Sequence, residues 1–308
     1  YGGHFITYPT FLSWFYHVFG YNIIIPSYVN SLIEFLSIFM LTITFKSIFG
    51  IKKYWFLPGL IYSIAPIMNL FGNTHLSETF SSFLIICTIF SFFYFFKNQK
   101  LLFLIVFGVF FGTALFTKRE NTVLFILFTS YTLYIYYFEN KMKNVKLLYP
   151  LIFSAAVVSL YLIFVQNIFL IEKAESSEIG TNTFSIQYFF RLAPIFLSAL
   201  IKFKWFGLYI YILIISFNYF IFNFKNYPKL TSMILLFLGF FLIYTVHYRS
   251  YYFVHFNDVD PFEALRYLNN FFIISVLYLG PIVMDSTGHS FEFSNFIASF
   301  CPIDQGIH

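Results

Sequence analysis

Three consecutive charged residues, Lys118, Arg119 and Glu120, stand between two apolar runs, with Phe116 and Thr117 before them and Asn121 after. Two adjacent cations at the end of an apolar segment can hold a lipid-borne phosphate or pyrophosphate. The ammonium supplies a point charge and the guanidinium grips two oxygens at once. The same side chains can instead snorkel to lipid headgroups or pair with Glu120. A charge at a bilayer centre costs roughly 2.5–3.5 kcal/mol on insertion scales, so the island marks a membrane surface or a watered cavity and divides the sequence into two spans.

His75 and Glu78 form a second candidate. Three residues apart, they share a face if a helix begins there, offering a base, a pair of metal ligands or an acceptor for a sugar hydroxyl. A carboxylate in a first helical turn also has a purely structural use, because the helix dipole favours it there. Late in the chain, His247, Arg249, His255, Asp258 and Arg266 are interleaved with Tyr248, Tyr251, Tyr252 and Tyr267. That mixture suits a sugar phosphate, with aromatic faces for the ring and cations for the phosphate. Asp260-Pro261-Phe262-Glu263 in the same loop reads as a helix start, which accounts for both carboxylates and offers Arg266 an i, i+3 partner. Glu34, inside an apolar run, is an intramembrane carboxylate facing either a cavity or a neighbouring helix.

The composition shows what must position these groups. Of 308 residues, 59% are hydrophobic and 10% charged, against roughly 25% charged in a soluble domain, and the apolar blocks are long enough to cross hydrocarbon. The chain is an all-α polytopic membrane protein. Its 50 Phe and 25 Tyr read mainly as a choice of lipid-facing residue. Cys87 and Cys301 have no metal-ligand spacing and do not identify a compartment. The net charge of +5 sets orientation and implies no nucleic-acid partner.

Thr10 to Phe19, ended by Gly20, is too short to span and predicts an interfacial helix. Spans are expected from Ser27 to Phe45, Tyr54 to Phe71, Thr79 to Phe96, Leu101 to Phe116, Asn121 to Phe138 and Leu147 to Ile171. Glu172 to Gln187 then reads as a solvated loop and Tyr188 to Lys204 as a second interfacial helix. Spans from Trp205, Leu230 and Tyr267 bring the total to about nine, in one domain over residues 1–284 with a tail over 285–308. No internal repeat is evident.

One set of alternate loops is short and basic, holding Lys46, Lys52, Lys53, Lys97, Lys100, Lys141, Lys143, Lys146, Lys225 and Lys229 with the single carboxylate Glu139. These loops face the cytoplasm by the positive-inside rule. The other set holds every arginine, both long loops and nearly all the carboxylates, so polar chemistry concentrates on the external or lumenal side, the charged island included.

Three patches give the chain a family likeness. Tyr8-Pro9-Thr10-Phe11-Leu12, followed by Phe19-Gly20, resembles the His/Tyr-Pro-Pro-Leu run and later Phe-Gly that close the first external loop of GT-C glycosyltransferases. Gly112-Thr113-Ala114-Leu115-Phe116-Thr117-Lys118-Arg119 resembles their small-residue helix end before Thr-Lys, and Arg266-Tyr267-Leu268 their late Arg-Tyr. The chain is most similar to the protein-mannosyltransferase and aminoarabinose-transferase-like group, departing from it where Thr10 replaces the second proline.

The resemblance implies a GT-C-like bundle, interfacial helices on the external side, and sugar transfer from a polyprenyl phosphate to an acceptor hydroxyl of a glycan, lipid or protein. The membrane would be the plasma membrane or endoplasmic reticulum. It also implies that the catalytic carboxylate and a first helix lie upstream of Tyr1, and that Lys118, Arg119 and Arg266 hold the departing phosphate. Tyr8 and Pro9 join the substrate-binding candidates, as do Tyr267, Arg249, His255 and Asp258. A divalent metal is compatible with His75 and Glu78 without being required. An O-antigen polymerase or ligase shares the multi-span pattern but gathers its arginines in one long loop. A secondary transporter calls for midplane polar groups, here nearly limited to Glu34, and for a repeat.

Overall fold

The computed structural model describes residues 7–49, 55–65, 77–138, 145–178, 182–202 and 238–247. Among them every regular element is a helix, and the one β-pairing is an isolated antiparallel bridge between Phe184 and His247.

Helix α1, Thr7–Phe19, begins three residues before the expected Thr10, because Pro9 sits in the first turn, where no intrahelical donor is needed. Gly20, at φ +77°, ends it in the left-handed conformation that glycine takes most readily. Tyr8 and Leu12 are buried while Trp14 is 74% exposed. This two-sided character fits a helix lying in the interface.

Helix α2, Ile25–Phe49, is about 37 Å long at 1.5 Å per residue, enough to cross a bilayer. Helix α3, Leu57–Ile64, stops where Ala65 turns extended at φ −71°, ψ 121°. The single helix expected from Tyr54 to Phe71 is therefore broken. Pro66 follows Ala65, and its ring disfavours helical geometry in the residue before it.

Helix α4, Glu78–Asn98, packs between α2 and α5, Leu101–Thr117. It is the most enclosed of the spanning helices, with 78% of its apolar window buried. Gln99, at φ 51°, closes it by donating its N–H to the Phe95 carbonyl at 2.6 Å. A 3-10 turn, Arg119–Val123, then leads into α6, Leu124–Phe138. Phe92 of α4, Phe107 and Phe111 of α5 and Phe128 of α6 are fully buried. The Phe92 and Phe128 ring centroids are 4.6 Å apart, and Phe107 meets Phe128 edge-on at 4.8 Å. Phenylalanine thus builds the core of this bundle, beside exposed positions such as Phe35 and Phe39. Edge-to-face rings pack densely without a polar atom to satisfy.

A second 3-10 turn, Val145–Leu148, opens α7, Tyr149–Glu178. The loop expected from Glu172 begins only after Glu178. The Glu-Lys-Ala-Glu run there consists of good helix formers that carry the helix past the hydrocarbon. Gly108 lets α5 approach α7, since a Cβ there would run into the Phe153 ring. Helix α8, Ile186–Ile201, begins two residues before the expected Tyr188 and ends three before the expected Lys204, and residues 238–246 form α9.

Among the described residues three helices are long and apolar enough to span, Ile25–Ile48, Glu78–Asn98 and Val145–Val165, with Leu101–Thr117 a shorter apolar one. The expected spans from Trp205 and Tyr267, and the tail over 285–308, lie outside the described residues.

Candidate functional site

The charged island folds against α4. Helix α5 ends at Thr117 and the backbone turns extended at Lys118, whose N–H still donates to the Ala114 carbonyl at 3.0 Å. From this elbow the Lys118 Nζ reaches Glu78 Oε1, in the first turn of α4, at 3.0 Å. Glu78 is 1% exposed and Lys118 11%, so the pair is shielded from water on nearly every side. The expected partner of Lys118 was its neighbour Glu120. The 3-10 turn carries the chain onward while the Lys118 side chain reaches across to α4.

Asn121 fixes the elbow. It is fully buried, and its Nδ2 donates to the Ala114 carbonyl at 2.8 Å and to Ser81 Oγ of α4 at 3.0 Å. Its backbone N–H donates to the Lys118 carbonyl at 3.1 Å. One amide therefore ties the end of α5 to the start of α4 on either side of the ion pair. The sequence reading named Asn121 only as the edge of the island. The signal that could have found it is a carboxamide placed just where an apolar segment resumes.

Helix α1 caps the same end of the bundle. Tyr8 donates its hydroxyl to Asn30 Oδ1 of α2 at 3.0 Å, and its ring lies 5.7 Å from that of Phe80. Burial pushes the Tyr8 hydroxyl up to about 12, the bond to Asn30 offsets part of this, and the nearby negative charge of Glu78 adds to the rise. Tyr8 thus belongs to the neighbourhood of the ion pair. Pro9 is exposed and serves the helix start. Asn30, fully buried, was missed, because a lone Asn in an apolar run gives no spacing to read.

Between α1, α4 and α5 runs a groove of about 750 Å³, lined by Thr7, Thr10, Phe11 and Trp14 of α1, Phe80 of α4, and Thr113 and Phe116 of α5.

Most of the remaining candidates lie beyond what the structure describes. Only the backbone of Arg119 is described, at the head of the 3-10 turn. His75, Arg249, His255, Asp258, Arg266 and Tyr267 lie outside the described residues. His247 is buried at the end of α9, its ring 5.2 Å from that of Phe184. Glu34 is half-buried on α2 and acts electrostatically on Tyr62 of α3, which is hydrogen-bonded with Ser37; its surroundings include a neighbouring helix. Among the described residues no group of three His, Cys, Asp or Glu could hold a metal. Glu78 carries an ammonium on Oε1, and His75, its expected partner toward a metal, lies outside the described residues.

No family model matches the sequence, and no curated protein does. Among solved structures the chain is similar to the crystal structure of ArnT from Cupriavidus metallidurans bound to undecaprenyl phosphate. The two share 13% sequence identity at a TM-score of 0.51, over 92% of this chain and 51% of that one. The chain therefore spans about half the length of the structure it matches. The likeness in fold, together with the apolar helices, makes this chain an integral membrane protein with a GT-C-like fold.

Proposed function

We propose that this chain works in a membrane glycosyltransferase that moves a sugar from a polyprenyl phosphate to an acceptor hydroxyl at the external or lumenal face. The observation that carries the reading is the shielded Lys118 ammonium at the end of α5, the helix that also lines an apolar groove with α1 and α4, in a fold similar to that of a protein solved with undecaprenyl phosphate. In this reaction the acceptor oxygen attacks the anomeric carbon and the bond from that carbon to the phosphate oxygen breaks, leaving the electron pair on the phosphate. Lys118 stabilises that growing charge, most strongly where water is excluded. Arg119 and Arg266 are assigned to the same phosphate, and Tyr267, Arg249, His255 and Asp258 to the sugar phosphate. The acceptor's proton goes to a carboxylate base of the kind the family resemblance implies. The acceptor is a glycan, a lipid or a protein.

The test is transfer of label in membranes containing the full-length protein. A radiolabelled polyprenyl-phosphate sugar is expected to give labelled product, whereas the corresponding nucleotide sugar is not. Label arriving from the nucleotide sugar alone would overturn the reading.

A further inference from the structure

We infer that Glu78 is a built-in rival for the lipid phosphate at Lys118: it holds the ammonium while the site is empty, yields it when the lipid binds, and reclaims it to help expel the product. The inference rests on the phosphate role given to Lys118 under the proposed function. Glu78 Oε1 occupies, at 3.0 Å from Nζ, the position a phosphate oxygen would take, and charge-assisted bonds to the two anions have the same length. Glu78 cannot withdraw far, because it sits in the first turn of α4 with its neighbour Ser81 bonded to Asn121. Lys118 sits on a flexible stem at the elbow and is the more exposed partner. It is therefore Lys118 that swings.

The charges make the exchange directional. A sugar-linked lipid phosphate is a diester with one negative charge, so it replaces one monoanion by another. The product is a monoester bearing about −1.5 to −2 at neutral pH and binds an isolated ammonium more tightly than the donor does. A carboxylate waiting beside the ammonium weakens both, and without it the product leaves slowly. Glu78 thus trades affinity for turnover.

The experiment measures binding of decaprenyl phosphate, and donor turnover, with the full-length protein in nanodiscs. Glu78→Gln keeps the shape and removes the rival charge. It is expected to tighten decaprenyl phosphate about tenfold, to lower the donor KM and kcat together, and to strengthen inhibition by decaprenyl phosphate. Glu78→Asp, which keeps the charge and shortens the reach, should move affinity the same way by less, and covers the case in which the glutamine variant does not fold. Inorganic phosphate and decaprenol are the comparison ligands: inorganic phosphate, which carries the competing charge, should gain as well, whereas decaprenol should not. Unchanged or weaker decaprenyl phosphate binding in both folded variants overturns the inference, as does an equal gain for decaprenol. Lys118→Met separates the two levels. If it binds decaprenyl phosphate as the wild type does, the proposed role of Lys118 fails, whereas loss of binding there with no gain at Glu78 defeats only this inference.

Discussion

Lys118 and Glu78 are 40 residues apart in sequence, and their charged atoms are 3.0 Å apart. The pair joins the elbow after α5 to the first turn of α4, and Asn121 braces it from behind. A buried ion pair broken on one side costs about 3–5 kcal/mol, because the remaining charge is stranded, whereas replacing both partners by apolar residues of similar volume can be nearly neutral. Glu78→Ala and Lys118→Ala are each expected to lower thermal stability in detergent strongly. The double change Glu78→Leu with Lys118→Met should recover most of the loss. A double variant as unstable as the sum of the singles would show that the pair is not coupled.

Asn121→Ala removes two donors to buried acceptors at once. It should destabilise by about 2 kcal/mol, the cost of leaving the Ala114 carbonyl and Ser81 less satisfied. Ser81→Ala should cost less and, combined with Asn121→Ala, add little further. Denaturation midpoints of the four proteins check this as a double-mutant cycle.

How much of this was readable from sequence follows the range of the interactions. Helix α5 ends within a residue of its expected limit and α8 begins near its own, because apolar runs and the charges that stop them are local signals. The break at Ala65 was equally local, encoded by Pro66, and was outweighed by the length of the apolar run around it. The island's position at a helix end was legible, and so was Glu78 in a first helical turn. Their pairing was not. Glu120 is the nearer carboxylate along the chain, and only the packing of α4 against α5 brings Glu78 closer in space. Asn121 and Asn30 escaped for the same reason, since a single carboxamide gains meaning only from the helix it faces.

Tyr8 gives a prediction in pH. Its hydroxyl is raised from 10.0 to about 12, chiefly by burial. A group whose folded pKa is raised holds its proton more tightly when folded, so its contribution is complete below pH 10 and is lost between pH 10 and 12. The loss is of order 2 kcal/mol. Thermal midpoints recorded from pH 8 to 11.5 should fall more steeply for the wild type than for Tyr8→Phe. Parallel curves would contradict the buried position of the hydroxyl.

Gly108→Ala should disturb the contact between α5 and α7, because the added Cβ meets the ring of Phe153. Overpacking of this kind costs about 1–3 kcal/mol. Adding Phe153→Leu should return part of the loss, and a midpoint unchanged by Gly108→Ala would show the two helices to be farther apart than described.

The central claim is that Lys118 holds the phosphate of a lipid-linked sugar. Its most direct test is the rate of transfer from a radiolabelled polyprenyl-phosphate sugar in membranes carrying equal amounts of folded wild type, Lys118→Met and Lys118→Arg. Loss of one donor aimed at developing charge is worth about 10²–10³ in rate. The methionine variant should fall by that factor and the arginine variant by less. Equal transfer by wild type and Lys118→Met would contradict the account.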